Sequence, residues 1–187
     1  YFGNLLNNSF ERIEVLKGSQ STLYGSGAIA GTLNLFTKKG TEGHHQNIDV
    51  SAGSFGTKTG NFSLNGKENN FDYFIGYTNF STDGISARID DDENDRYRND
   101  NFEGNFGYQI NNILRIENYF NYSDLFLEYD SVNPSNSDNN STDDTQGIYS
   151  GKFIIDNGNL KNTFSFNKTY FLRNVMDYNK SPVQENY

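Results

Sequence analysis

Residues 9–40 read SFERIEVLKGSQSTLYGSGAIAGTLNLFTKKG and form the most ordered pattern in the chain. Apolar and charged side chains alternate over residues 10–16, which predicts a strand with one buried face. Residues 19–23 are predicted to form one helical turn capped by a serine or threonine, and the glycines of residues 24–27 allow a sharp return. Residues 28–37 predict the returning strand. The stretch therefore predicts a compact strand-turn-strand unit.

This stretch resembles the end of the plug domain of TonB-dependent outer-membrane receptors. The resemblance is carried by ERIEVLKG at residues 11–18, YG at 24–25, AIAG at 28–31 and NLFTKKG at 34–40. Ser19 stands where the family usually has proline, which loosens the turn but removes no chemistry. The residues that match the plug motif are Glu11, Arg12, Ile13, Glu14, Val15, Lys17, Gly18, Tyr24, Gly25, Gly31, Asn34 and Thr37.

The resemblance implies a domain organisation. Receptors of this family enclose an α/β plug in a barrel of about 22 antiparallel strands. Residues 1–40 are accordingly expected to be the C-terminal part of the plug, residues 41–46 a linker, and residues 47–187 the first part of the barrel wall. Any secretory signal and the segment that contacts TonB are expected upstream of Tyr1.

The composition fits a membrane barrel better than a helical membrane protein. Phe and Tyr make up 16% of the chain, whereas the whole hydrophobic share is 34%. No run approaches the roughly 18 apolar residues of a membrane-spanning helix. A transmembrane barrel needs no such run because only alternate residues of a strand contact lipid. The net charge of −9 argues against nucleic-acid binding, and the absence of cysteine excludes a disulfide scaffold.

From residue 45 onward the sequence repeats alternating segments separated by polar turns. Seven strands are predicted, at residues 48–54, 59–66, 71–80, 102–110, 113–126, 146–156 and 159–173. Short turns are predicted at residues 67–70, 111–112 and 157–158, the last an Asn-Gly pair, and longer connections lie between them. Because short turns of outer-membrane barrels are periplasmic, the Asp-rich loops are expected outside. The fold class is all-β, a partial transmembrane antiparallel β-barrel of about seven strands.

The charged residues of these strands share one predicted face. Glu103, Arg115, Glu117 and Lys161 alternate with apolar neighbours, so they are expected in a polar lumen. On the lipid side, an Arg or Lys at the bilayer midplane would cost about 2–4 kcal/mol. The same period also fits a soluble antiparallel sheet with one wet face, as in a β-sandwich adhesin.

Two acidic loops, residues 83–100 and 128–145, suggest a calcium site. Hard cations take six to eight oxygen ligands, which Asp- and Asn-rich loops supply, although the spacing does not match an EF-hand. In the cobalamin receptors of the TonB-dependent family, Asp residues of two neighbouring outer loops bind calcium. Tyr129-Asp130 is similar to a Tyr-Asp pair in one of those loops. The alternative is a solvated acidic loop. The candidate ligands are Asp90, Asp92, Asp130, Asp143 and Asp144.

No catalytic arrangement is apparent, so no enzyme is predicted. His44 and His45 are adjacent, and neighbouring strand residues point to opposite faces, so a solvated linker is favoured over a metal pair. The resemblance implies active uptake of a scarce large nutrient, cobalamin or a ferric siderophore, in the outer membrane of a Gram-negative bacterium. The implied partners are the TonB complex, outer-membrane lipid and a small-molecule metal chelate. A passive porin or structural outer-membrane barrel is the alternative.

Overall fold

The computed structural model describes residues 10–86, 94–130, 139–176 and 183–186. The chain divides into two units. Among the described residues, the smaller unit runs to Lys38 and the larger begins at Lys39. Within the described ranges, no helix is long and apolar enough to cross a membrane.

The smaller unit is an antiparallel hairpin with a short helix between its strands. Its elements are β1 (Phe10–Lys17), α1 (Ser21–Tyr24) and β2 (Gly31–Thr37). Val15 pairs with Leu33 in the middle of the ladder. Gly25, which follows α1, has a φ of 83°, the left-handed region that glycine adopts without a steric penalty. The strand-turn-strand prediction is therefore confirmed.

Two details of this unit differ from the prediction. The helix cap is Gln20, with no side-chain capping bond, so the predicted serine or threonine cap is wrong. The Ser19 and Ser21 hydroxyls instead lie 3.0 Å apart and bond to each other. The second strand begins at Gly31, since residues 28–30 meet residues 18–20 through irregular bonds such as Gln20 N–H to the Ala28 carbonyl at 2.8 Å.

The larger unit is an eight-stranded antiparallel sheet in which each strand pairs with its neighbours in the sequence. The strands are β3 (Gly43–Ala52), β4 (Lys58–Glu68), β5 (Phe71–Thr82), β6 (Tyr97–Gln109), β7 (Leu114–Asp130), β8 (Asn139–Asp156), β9 (Lys161–Met176) and β10 (Val183–Asn186). The first seven correspond to the seven predicted strands, and β10 is a short addition. This topology confirms the all-β, partial-barrel fold class.

Several strands extend beyond the predicted boundaries. β3 begins inside the predicted linker 41–46, because backbone pairing of Gly43 with Lys67 needs no apolar side chain. At the other end, β7 and β8 stay in register as far as Asp130 and Asn139. The predicted loop 128–145 is therefore much shorter, and Asp143 and Asp144 lie in a strand.

The two faces of the sheet differ sharply. All the buried polar side chains of the described residues lie on one side, the polar face, among them Asn99, Glu103 and Ser123. The other side, the apolar face, leaves large side chains exposed, including Phe102 and Phe166. The predicted lumen-facing set of Glu103, Arg115, Glu117 and Lys161 lies together on the polar face.

The apolar face carries a belt of apolar and aromatic side chains, which Asn118 on β7 and Lys168 on β9 interrupt. On β7 the belt runs from Leu114 to Tyr122, about 27 Å along the strand and about 20 Å across a bilayer at the usual tilt, comparable with the roughly 25 Å band of outer-membrane barrels. It ends in a row of aromatic residues on neighbouring strands. That row contains Tyr77, Phe102, Tyr122 and Tyr170. Asp100 and Asp124 follow on the same face, so the belt has a charged outer border.

The connections define the two ends of the sheet. The inner end carries the short turns, including the Asn69-Asn70 turn between β4 and β5, where Asn69 has a φ of 53°. The outer end carries the longer connections, which include residues 53–57 and 83–96. The alternation of short and long connections agrees with the prediction.

Candidate functional site

The polar face is lined by amide and hydroxyl side chains that bond across neighbouring strands. Asn121 Nδ2 donates to Asn101 Oδ1 at 3.2 Å, and Ser123 Oγ donates to Asn99 Oδ1 at 3.1 Å. These side chains are buried, so the cross-strand bonds satisfy groups that would otherwise lose hydration. The centre of the polar face is thus a rigid polar surface.

Near the outer end the polar face becomes apolar. A cavity of about 290 Å³, here called the outer pocket, opens there. It is lined by Tyr97, Leu125, Leu127, Tyr129, Thr142, Asp144, Arg173 and Val175. Leu125 is buried, whereas Tyr129 is exposed, so the pocket has an apolar base and an accessible aromatic rim. An apolar patch on an otherwise polar wall is a feature that binding sites commonly show.

One ion pair forms part of the pocket wall. Arg173 donates from Nε to Asp144 Oδ1 at 2.7 Å and from Nη2 to Asp144 Oδ2 at 2.6 Å. The Asp144 side chain is 1% exposed, and the Arg173 guanidinium also lies 5.2 Å from the Phe171 ring centroid. Since the two charges neutralise each other, the pocket presents apolar and aromatic surface with little net charge.

The connection 83–96 ends at Arg96, which is bound beside the outer pocket. Arg96 donates to Glu128 from Nε at 2.7 Å and from Nη2 at 2.6 Å, and its backbone N–H also donates to Glu128 Oε2 at 3.2 Å. Hydrogen bonding to the Glu128 carboxylate raises the pKa of Arg96. The next residue, Tyr97, packs edge-on against Phe80 at 5.6 Å between ring centroids. The pocket rim is therefore held by the Arg96–Glu128 ion pair and by the Phe80–Tyr97 ring contact.

The candidate calcium ligands do not converge among the described residues. Asp143 and Asp144 are adjacent on β8 and point to opposite faces, and Asp144 is already bound by Arg173. Asp130 ends β7 and has one buried carboxylate oxygen with no hydrogen-bond partner within the described part of the chain. Asp90 and Asp92 lie outside the described residues. No described group of three or more His, Cys, Asp or Glu could hold a metal ion. The calcium site stays a prediction.

The residues that match the plug motif mostly serve the hairpin itself. Arg12 Nε binds Glu14 Oε1 at 2.9 Å, and its guanidinium lies 4.1 Å from the Phe36 ring centroid. Asn34 Nδ2 donates to Tyr24 Oη at 3.1 Å, which ties β2 to α1. Of the others, Glu11, Ile13, Val15 and Lys17 lie on β1, Gly31 and Thr37 lie on β2, and Gly18 and Gly25 flank α1.

The outer pocket is absent from the sites predicted above. The sequence feature that indicates the pocket is the run Leu125-Phe126-Leu127. These are three consecutive apolar residues, whereas a half-buried strand is expected to alternate apolar and polar side chains. Such a run places apolar side chains on both faces of β7, and the two leucines are the ones that reach the polar face. Arg173 gave no comparable signal, because its partner Asp144 is 29 residues away in the sequence.

The stretch that precedes the sheet resembles the plug of TonB-dependent receptors. Residues 2–32 match the TonB-dependent Receptor Plug Domain family. The antiparallel sheet, polar on one face and apolar on the other, follows that match in the sequence as the wall follows the plug in such receptors.

Three relatives illustrate the similarity. The chain is 39% identical over 62 residues to the vitamin B12 transporter BtuB of Vibrio vulnificus, covering 33% of this chain and 10% of the relative. It is 30% identical over 114 residues to the iron-regulated outer membrane virulence protein of Vibrio cholerae, covering 61% and 16%. It is 42% identical over 62 residues to the ferric enterobactin receptor PirA of Pseudomonas aeruginosa, covering 30% and 8%. The chain thus spans less than a fifth of these relatives, and the predicted outer-membrane localisation is confirmed.

Proposed function

We propose that this chain serves the active uptake of a scarce, large nutrient, cobalamin or a ferric siderophore, across the outer membrane. The observation that carries the proposal is the order of parts, a plug-family match over residues 2–32 followed by a sheet with a lipid-type belt on one face and a polar lining on the other. The TonB complex is the proposed energy source for this uptake.

The outer pocket supports a substrate with an apolar or aromatic part. Tyr97, Leu127 and Tyr129 offer such a surface at the outer end, where an incoming ligand arrives. The pocket's cation, Arg173, is neutralised by Asp144, and the chain carries a net charge of −9. These charges favour a neutral chelate such as cobalamin over a strongly anionic ferric siderophore.

A passive porin would share the sheet but not the stretch that precedes it. A plug obstructs free diffusion, so its family match favours gated transport over an open pore. The relatives are named as transporters and receptors, which supports a function in binding and transport rather than in catalysis.

Uptake by the intact receptor tests the proposal. The receptor is expressed in a Gram-negative host that lacks its own cobalamin and siderophore receptors, with and without a functional TonB gene. Cell-associated radiolabelled cobalamin and ferric enterobactin are then measured over time. We expect accumulation of cobalamin only in cells with TonB. Equal accumulation without TonB would identify a passive barrel, and TonB-dependent accumulation of ferric enterobactin alone would reverse the assignment of the substrate.

A further inference from the structure

Residues 39–42, here called the crossing segment, run across the polar face at the inner end of the sheet. Lys39 Nζ binds Glu117 Oε1 on β7 at 2.7 Å. Thr41 Oγ1 donates to Asn65 Oδ1 on β4 at 3.0 Å. The segment is therefore fastened to two strands that are not neighbours in the sheet.

Close backbone contact adds to these side-chain bonds. A Cβ built on Gly40 would lie 2.6 Å from the backbone nitrogen of Tyr73 and would also collide with the Gly66 carbonyl. Only glycine allows the segment to lie this close to the ladder between β4 and β5. The crossing segment thus lies directly on the backbone of the sheet.

The carboxylate that binds Lys39 belongs to a ladder of charges. Glu117 Oε1 also accepts a hydrogen bond from Arg115 Nε at 2.9 Å, and Arg115 Nη2 donates to Asp72 Oδ2 at 2.7 Å. The Glu117 side chain is 13% exposed and that of Asp72 is 8% exposed. A Cβ on Gly107 would lie 2.6 Å from the Asp72 carboxylate and collide with the guanidinium, so glycine lets Arg115 reach across β6. Glu117 is consequently held in place to receive Lys39.

We infer that Lys39 and Glu117 are positioning residues for uptake, which hold the chain at the exit from the plug unit against the inner end of the wall. Lys39 is the first residue after the smaller unit, so a bond at Lys39 fixes the point where that unit is attached. The inference rests on the proposed function. Movement of the plug during uptake would then occur upstream of Lys39, while the crossing segment stays bound.

The neighbouring strand β8 offers a control lysine for testing the Lys39–Glu117 contact. Lys152 on β8 is the register partner of Glu117 and forms no ion pair with any described residue. If Lys39 is removed, Arg115 Nε still donates to Glu117 Oε1 at 2.9 Å, so a Lys39→Met variant leaves no unpaired carboxylate and is expected to fold. Lys152→Met is a matched control, since it removes the lysine that is the register partner of Glu117 on the neighbouring strand but makes no ion pair with it.

Hydrogen exchange of the purified intact receptor in detergent, without substrate or TonB, gives the primary measurement. We expect the backbone amides of residues 39–42 to exchange about five- to tenfold faster in Lys39→Met and Glu117→Gln than in the unmodified receptor, and to be unchanged in Lys152→Met. Gly107→Ala, which displaces Arg115, should also accelerate exchange. Unchanged exchange in both Lys39→Met and Glu117→Gln, or equal acceleration in Lys152→Met, would overturn the assignment.

A second readout separates this inference from the proposed transport function. TonB-dependent uptake of cobalamin should fall at least threefold in Lys39→Met, with substrate Kd unchanged, and should be normal in Lys152→Met. If exchange accelerates but the unmodified receptor shows no TonB-dependent uptake, the attachment stands and the proposed function fails. If exchange accelerates and uptake by Lys39→Met is normal, the positioning role is overturned.

Discussion

Arg173 on β9 binds both carboxylate oxygens of Asp144 on β8, at 2.7 and 2.6 Å. The Asp144 side chain is 1% exposed, so removing the guanidinium would leave a carboxylate without its partner and largely without water. Breaking one side of such a pair costs several kcal/mol, whereas replacing both charges by neutral groups costs far less.

The first prediction therefore concerns Arg173→Met. We expect it to lower the free energy of unfolding of the intact receptor by about 3 kcal/mol, and the double variant Asp144→Asn with Arg173→Met to recover most of that loss. Urea unfolding in lipid vesicles measures both. Arg98→Met is the control, because Arg98 is more than half exposed and its contacts with Asp100 and Asp124 are 3.6 and 3.9 Å. Equal losses in Arg173→Met and Arg98→Met would contradict the prediction.

The second prediction concerns two glycines of the apolar face. A Cβ on Gly104 would lie 2.6 Å from Phe120 Cζ and 3.0 Å from the Phe106 ring, whereas nothing lies within 4 Å of one on Gly60. Gly104→Ala should thus displace an aromatic ring and destabilise the sheet by about 1–2 kcal/mol. Gly60→Ala should be neutral or slightly stabilising. The same urea titration measures both, and equal effects would show that the Phe120 ring moves aside without cost.

The third prediction tests which face contacts lipid. Phe166 lies in the belt of the apolar face and Asn167 follows it on the polar face, and both are exposed in the sheet. Phe166→Lys should cost about 2–4 kcal/mol in a bilayer, because a charge is placed in the hydrocarbon region. Asn167→Lys should cost less than about 1 kcal/mol, since it adds one charge to a polar surface. A larger cost for Asn167→Lys would reverse the assignment of the faces.

Most of the sheet could be predicted because each strand carries its own alternating pattern. β6 is the clearest case, with Phe102 and Phe106 opposite Glu103 and Asn105. The pattern failed where pairing, not side-chain polarity, set the strand boundary. Residues 139–145 form part of β8 although all seven are polar, because β7 continues beside them to Asp130.

Both asparagine-containing turns form where the sequence predicts them, but their backbone conformations differ. The Asn157-Gly158 turn forms as predicted, with a φ of 85° at Gly158. The predicted turn at Asn111-Asn112 also forms, and neither residue has a positive φ. Instead Asn111 Oδ1 accepts hydrogen bonds from the backbone N–H of Ile113 and Leu114, both at 2.9 Å. An asparagine side chain can close a turn without left-handed backbone, which the sequence alone does not distinguish.

The candidate site was harder to predict than the fold, because its parts are distant in the sequence. The outer pocket joins Tyr97, Leu127 and Arg173 only once three strands are in register. The predicted acidic site shows the same limit of sequence spacing. Asp143 and Asp144 looked like neighbouring ligands, yet strand alternation separates them and Arg173 binds one of them.

The last prediction concerns the outer pocket as a substrate contact. Leu127 and Tyr129 lie on the polar face of β7, whereas Phe126 between them lies on the apolar face of the same strand. If the pocket receives an apolar part of the substrate, Leu127→Asn should weaken substrate binding at least tenfold, because a desolvated amide without a partner replaces an apolar contact. Phe126→Asn makes the same kind of change one residue away on the other face; it loses the 5.8 Å contact of the ring with Arg96, which Glu128 still binds, and should leave binding within about twofold.

Equilibrium binding of cobalamin to the purified intact receptor measures this difference, and circular dichroism with heat-modified electrophoretic mobility confirms that each variant is folded. Tyr129→Leu provides a graded variant, since it keeps the apolar surface and removes the hydroxyl, and it should change Kd by less than about threefold. Loss of affinity in Phe126→Asn equal to that in Leu127→Asn would mean that both act through the stability of β7 rather than through the pocket. Unchanged affinity in Leu127→Asn would place the substrate elsewhere on the receptor.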